Sequence, residues 1–258
     1  MLLAIDIGNT NIMMGVFKDA ELAAIWRIST SVQRTIDEYC IIFNELFESS
    51  KIPLNTINGI IIASVASPKV LGIVRNTLNR LFSLHPLIVG ENIDVPIKNL
   101  YNNPSQVGQD RLVSAFSAYR QYGGPVIVID FGTAITFDLV SKEGEYLGGL
   151  IAPGIEISFD ALIERTTLLP KIELVEPDSL LGKDTVTSMR SGVINGFSSL
   201  CDGVIHKLKE EFGRDIPTVV TGGNAELIAS HCTTIDNKNP YLILEGLQII
   251  YSEKNQSL

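Results

Sequence analysis

Cysteine and histidine are scarce in this chain, three of each in 258 residues. Cys40, Cys201 and Cys232 lie far apart and form no Cys-x-x-Cys, so they read as small buried hydrophobes rather than a disulfide framework. His85, His206 and His231 lack metal-ligand spacing, which speaks against a transition-metal centre. No apolar run reaches the roughly 18 residues of a membrane span, and no basic segment precedes the first apolar run. Neither a membrane partner nor a signal peptide is expected, and the compartment expected is the cytoplasm. Positive charge is in deficit: 20 Lys and Arg stand against 29 Asp and Glu, a formal net charge of −9, with no basic stripe. Nucleic acid is therefore not an expected partner, and an anionic substrate would need locally supplied positive charge. No Gly-x-Ser-x-Gly elbow supports a serine nucleophile. Low-complexity segments are missing too, and 45% hydrophobic residues suffice for a substantial core.

One motif is present twice. Residues 2–10 run Leu-Leu-Ala-Ile-Asp6-Ile7-Gly8-Asn9-Thr10, and residues 126–133 run Val-Ile-Val-Ile-Asp130-Phe-Gly132-Thr133. Each is a short apolar run ending in Asp-x-Gly and a small polar side chain, followed by a second apolar stretch. The pattern predicts strand, tight turn, strand. A single Asp-x-Gly is an ordinary hairpin turn. Two copies after matched strands, about half the chain apart, indicate a repeated unit and two similar halves, 1–115 and 116–258. The chemistry suits phosphate. Glycine lets backbone approach a ligand, successive N–H groups in a tight turn form an anion-binding concavity, and the aspartate can hold a metal ion that shields phosphate charge.

Further along, periodicity predicts strands at 2–7, 11–18, 21–29, 59–64 and 86–89, with helices from Thr35 and from Pro68. Residues 90–107 form a long connection rich in Asn and Pro, a length that tends to be functional. A helix from Asp110 to Tyr122 joins the halves. Strands at 126–130, 134–140 and 145–151 follow, then a helix to Arg165, a loop over 166–183 and a long helix over 185–212. A strand at 218–221, a helix at 224–230 and a closing helix at 241–251 complete the chain. Three strands, a helix and strand–helix alternation, given twice, make an α/β fold with mixed central sheets. The pattern resembles the duplicated ribonuclease-H-like domains of the actin, hexokinase and chaperone ATPase superfamily, an analogy that does not by itself fix function.

Other constellations stand beside the corners. Lys18, at the far end of the paired strand, is either a surface lysine or a phosphate contact. Tyr101-Asn-Asn-Pro104 leads to Gly108-Gln109-Asp110-Arg111. Asp110 at a helix start is either an N-cap or a base for a substrate hydroxyl, and Arg111 either a solvated arginine or a fork for a carboxylate. Gly148-Gly149-x-x-x-Pro153-Gly154 and Thr221-Gly222-Gly223-Asn224 are glycine-rich passages into helices, the latter suited to a nucleotide.

Taken together, with Leu169-Pro170, Gly182-Lys-Asp-Thr185 and Ser191-Gly192, these motifs resemble the type III pantothenate kinases, in order and spacing, from Leu2 to about Ile249. The resemblance implies ATP-dependent phosphorylation of pantothenate to 4′-phosphopantothenate, the first step of coenzyme A synthesis. It implies ATP phosphate binding by Asp6, Ile7, Gly8, Asn9, Thr10, Asn11, Ile12 and Met13, and by Thr133. It implies Asp110 as proton acceptor, and Tyr101, Gly108, Gln109, Asp110, Arg111 and Thr185 as pantothenate contacts. Asp130 is implied to hold a monovalent cation, K⁺ or NH₄⁺, and Mg²⁺ to accompany ATP near Asp6. A cytoplasmic homodimer is implied, with part of the pantothenate site shared between subunits. Ser114 departs from the family, which commonly has Asn there. A non-catalytic alternative, a nucleotide-binding regulatory accessory factor, would be favoured by loss of Asp110 or Asp130; both are present.

Overall fold

The computed structural model describes residues 1–256. The first strands form an antiparallel meander: β1 (Leu2–Ile7), β2 (Asn11–Lys18) and β3 (Glu21–Ser29). After α1 (Ile36–Ser49), strand β4 (Gly59–Ser64) pairs parallel to β1, and after α2 (Pro68–Phe82), β5 (Leu87–Ile88) pairs parallel to β4. The sheet order is β3-β2-β1-β4-β5. β1 and β4 are continuous apolar runs because both of their faces are covered. Thr35 and Glu38 form a capping box that starts α1. Ser67 caps α2, with Pro68 at its first position, where a missing N–H costs nothing. Leu3, Ile5 and Ile7 pack with Tyr39, Phe43 and Phe47 of α1 and with Val70, Val74 and Leu78 of α2.

The same plan recurs. β6 (Lys98–Asn99) is a short strand within the Asn- and Pro-rich connection, and α3 (Gln109–Tyr122) follows. Then come the antiparallel strands β7 (Val126–Phe131), β8 (Ala134–Val140) and β9 (Glu145–Pro153), helices α4 (Ile155–Glu164) and α5 (Thr185–Phe212), strand β10 (Thr218–Thr221), helix α6 (Ala225–Ala229) and strand β11 (Asn237–Lys238). The order is β11-β10-β7-β8-β9-β6. Without β6, this is the order of the first sheet: a three-strand meander whose first strand is flanked by two further parallel strands. The duplicated α/β fold with mixed sheets is therefore present.

The chain divides into two compact units, but not by a cut at 115/116. Unit 1 comprises Met1–Ile97, Asn103–Ser117 and the chain from Leu242 on; unit 2 comprises Lys98–Asn102 and Ala118–Tyr241. The closing helix α7 (Leu242–Gln256) returns to unit 1, where it packs on β1, β2 and β4. Its Tyr251 hydroxyl sits against Gly59, and its Gly246 against Val113 and Ser117 of α3. In unit 2, β6 joins the sheet edge by parallel pairing of Lys98 with Glu145 and of Asn99 with Tyr146. A strand-pairing edge and an apolar helix face are satisfied by distant chain, which sequence order does not reveal.

Candidate active site

In unit 1, Asp6 lies near the carboxyl end of β1, paired with Met13 on β2 and Ala63 on β4. The corner that follows is closed by the Gly8 N–H donating to the Asn11 carbonyl at 2.9 Å. Thr30 braces it from beyond β3: its hydroxyl donates to the Gly8 carbonyl and its N–H to the Thr10 carbonyl, both at 2.8 Å. Asn9, Thr10 and Asn11 are exposed, whereas the side chains of Ile7 and Ile12 are in the core. Met13 is buried on β2. Lys18 stands at the other end of β2 from the corner, a surface position.

The first turn of α3 joins this end of the sheet. The Val65 N–H donates to the Ile7 carbonyl at 3.1 Å, and the Val65 side chain sits beside Gly108. Gln109 packs at Gly90, which follows β5. The carboxyl ends of β1, β4 and β5 thus carry the Asp6 corner and Gly108–Arg111 together, the end where open α/β sheets bind ligands. Asp110 is not an N-cap, because α3 begins one residue earlier. Its Oδ1 accepts from the Arg111 N–H at 2.8 Å and folds back over Gly108, where a Cβ would overlap it. Ser114, one turn on, is buried, and among the described residues its hydroxyl has no hydrogen-bond partner.

In unit 2 the second corner is one residue tighter, with Gly132 N–H donating to the Ala134 carbonyl at 3.1 Å. Both glycine-rich passages converge on it. Thr221 pairs with Asp130, and Gly222 follows at φ +98°, a conformation that suits glycine. A Cβ on Gly222 would overlap Asp130 Oδ1. The Asn224 N–H donates to the Phe131 carbonyl at 3.3 Å, and Gly154, capping α4, packs on the Thr133 carbonyl. Asp130 Oδ1 is therefore approached by two bare glycines, Gly132 and Gly222, with the Ala134 carbonyl also beside Gly132. A carboxylate oxygen is a hard donor, which suits a hard cation rather than a soft transition metal. Thr133 is exposed at the tip.

Tyr101 also belongs to unit 2. The Leu100 N–H donates to the Tyr146 carbonyl at 2.9 Å, the Tyr101 N–H to Asn99 Oδ1 at 3.0 Å, and the Tyr101 ring lies over Gly148. Thr185 opens α5, just inside a capping box in which Asp184 accepts from the Thr187 N–H at 2.8 Å, a bond that holds the Asp184 carboxyl below its usual range. Thr185 lines a cavity of about 750 Å³ between α4 and α5, with Ser158, Leu162, Met189, Phe197 and Leu200.

One site-adjacent side chain escapes sequence reasoning. Asp138 is buried on β8, accepting from Tyr146 and Thr136. Its only sequence signal is a carboxylate in an apolar strand, spaced by two from Thr136.

The family model of the type III pantothenate kinases matches residues 2–207. A type III pantothenate kinase from Roseiflexus sp. (strain RS-1) is 44% identical over 257 residues, covering 100% of both chains. Another, from Moorella thermoacetica, is 44% identical over 255 residues, covering 99% of this chain and 100% of its own. Among solved structures, the activator of 2-hydroxyisocaproyl-CoA dehydratase from Clostridium difficile, with bound ADPNP, superposes with a TM-score of 0.58 at 14% identity over 99% of this chain and 96% of its own, a likeness of fold. Among the described residues no helix is long and apolar enough to cross a membrane.

Proposed function

The chain belongs to the type III pantothenate kinase family, and from that membership we infer that it transfers a phosphoryl group from ATP to the primary hydroxyl of pantothenate, giving 4′-phosphopantothenate for coenzyme A synthesis. The observation that carries the reading is the duplicated Asp-x-Gly corner near the carboxyl end of the first strand of each sheet. Phosphoryl transfer asks a protein mainly for positioning and charge stabilisation, and backbone-rich corners supply both.

The division of labour we propose follows the motifs. Asp6 through Met13, by backbone where side chains are buried, and Thr133 hold the ATP phosphates. Asp110, oriented by the Arg111 N–H, accepts the proton of the substrate hydroxyl. Tyr101, Gly108, Gln109, Arg111 and Thr185 contact pantothenate, with the Arg111 guanidinium on its carboxylate. Asp130 and the carbonyls near it hold K⁺ or NH₄⁺, and Asp6 faces the Mg²⁺ that accompanies ATP. These ions supply the positive charge that an acidic chain otherwise lacks. The working form proposed is a cytoplasmic homodimer. Its support is the apolar α4/α5 face, where the cavity-lining Leu162 and Leu200 are exposed.

The test is ADP release from the purified protein with ATP and Mg²⁺, with and without pantothenate, in potassium and then in sodium buffer. Release that needs both pantothenate and potassium supports substrate and cation assignments together. Release independent of pantothenate overturns the substrate, and equal rates in the two buffers overturn the cation.

A further inference from the structure

On β8, Ile135, Phe137 and Leu139 enter the core that α5 and α6 cover, so Thr136 and Asp138 face the other side of the sheet. Thr136 is the strand partner of Asp130. Its hydroxyl donates to Asp138 Oδ2 at 3.1 Å, and the Tyr146 hydroxyl donates to Asp138 Oδ1 at 2.6 Å. The Tyr146 ring lies 6.5 Å from the Tyr101 ring, centroid to centroid, inclined at 48°. Tyr101 also lies near Gly148, with its Cδ2 and Cε2 towards that glycine. A polar stripe thus crosses one sheet face from Asp130 to Tyr101, entirely within unit 2.

The stripe is costly to build. Asp138 is 2% exposed and Tyr146 is fully buried. A carboxylate at such a depth destabilises the fold unless it is hydrogen-bonded, and an apolar pair of the same volume would avoid the cost. What the pair gains is orientation. Tyr146 has little rotational freedom once its hydroxyl is fixed on a buried acceptor. It is the wall against which Tyr101 leans.

We propose that Asp138 and Tyr146 are positioning residues for the acceptor substrate: the buried carboxylate fixes the Tyr146 ring, Tyr146 fixes Tyr101, and Thr136 ties the same carboxylate to the strand position beside Asp130. The inference rests on the reading of Tyr101 as a pantothenate contact. Tyr101 binds substrate before and during the reaction, so loosening it weakens binding of pantothenate and leaves turnover nearly intact.

The experiment compares Tyr146→Phe, Tyr101→Ala and the double variant by kcat, by KM for pantothenate and for ATP, and by thermal midpoint. Loss of one buried hydrogen bond predicts a rise of about five- to tenfold in the pantothenate KM for Tyr146→Phe, with kcat and the ATP KM changed by less than about twofold. The double variant is expected to be no worse than Tyr101→Ala, because the two act through one contact. An unchanged pantothenate KM in Tyr146→Phe, while Tyr101→Ala raises it, overturns this inference and leaves the reading of Tyr101 standing. An unchanged KM in Tyr101→Ala overturns that reading and the inference with it. Equal rises in both KM values for Tyr146→Phe mark a merely structural role and also overturn it. Where Tyr146→Phe does not fold, Thr136→Val, which removes the Thr136 hydroxyl bond to Asp138, is expected to raise the pantothenate KM alone; no rise overturns the stripe.

Discussion

Asp110 folds back over Gly108 and accepts from the Arg111 N–H, so its carboxylate is oriented before any substrate arrives. Asp110→Asn keeps the shape and removes the base; kcat is expected to fall by about two to four orders of magnitude with the ATP KM unchanged, and undiminished turnover in steady-state assays would remove Asp110 as base. Arg111→Lys cannot fork onto a carboxylate, so the pantothenate KM should rise while the ATP KM holds. At the other corner, Gly222→Ala puts a Cβ onto Asp130 Oδ1 at a φ that alanine resists. Its potassium titration should shift to higher concentration by about tenfold, with a stability loss of about 1–3 kcal/mol. A potassium response equal to the native protein's would place the cation elsewhere. The sequence made the aspartates and glycines conspicuous. It did not reveal that Gly222 touches Asp130, because that contact joins residues far apart in the chain.

Among the elements, α5 is held to the segment after α6 by Asp202. That carboxylate accepts from the Thr233 and Thr234 N–H groups and from both hydroxyls, the shortest at 2.6 Å. Burial alone would raise its pKa; the four donors outweigh that and hold the carboxyl below its usual range. A pKa depressed on folding contributes stability that is fully present above the unfolded value of about 3.9 and is lost as pH falls through the folded value. The thermal midpoint of the native protein should therefore exceed that of Asp202→Asn at pH 6, and the gap should close as pH falls below about 4. A gap that persists at pH 2 would assign the difference to packing. Long or strongly patterned elements were legible: β1, β4, β10 and the whole of α5 stand at their predicted bounds, and α2 opens at the predicted Pro68. β6 and β11 were not, since two residues carry no periodicity. Asp110 read as an N-cap alternative because the helix start was placed one residue late.

For the molecule as a whole, the apolar α4/α5 face makes the oligomer testable. Leu200→Glu sets a charge on that face, and the protein should pass from dimer to monomer mass by light scattering without loss of helix content. A native protein that is itself monomeric at micromolar concentration would withdraw the dimer. The duplication was legible in the sequence through its two corners and matched strand runs. The assignment of chain to units was not, since nothing local in Leu242–Gln256 says which sheet it will cover.

That helix places a constraint on biosynthesis. Residues 242–256 are translated only after the whole of unit 2, yet they cover the face of β1, β2 and β4, the earliest sheet made. During translation the first sheet therefore waits with one apolar face bare, while the second can close in a single pass. A stop codon just after Tyr241 would spare every residue of the Asp130 corner and strip the cover from the Asp6 corner's sheet. Loss at the end of the message would be felt at its beginning.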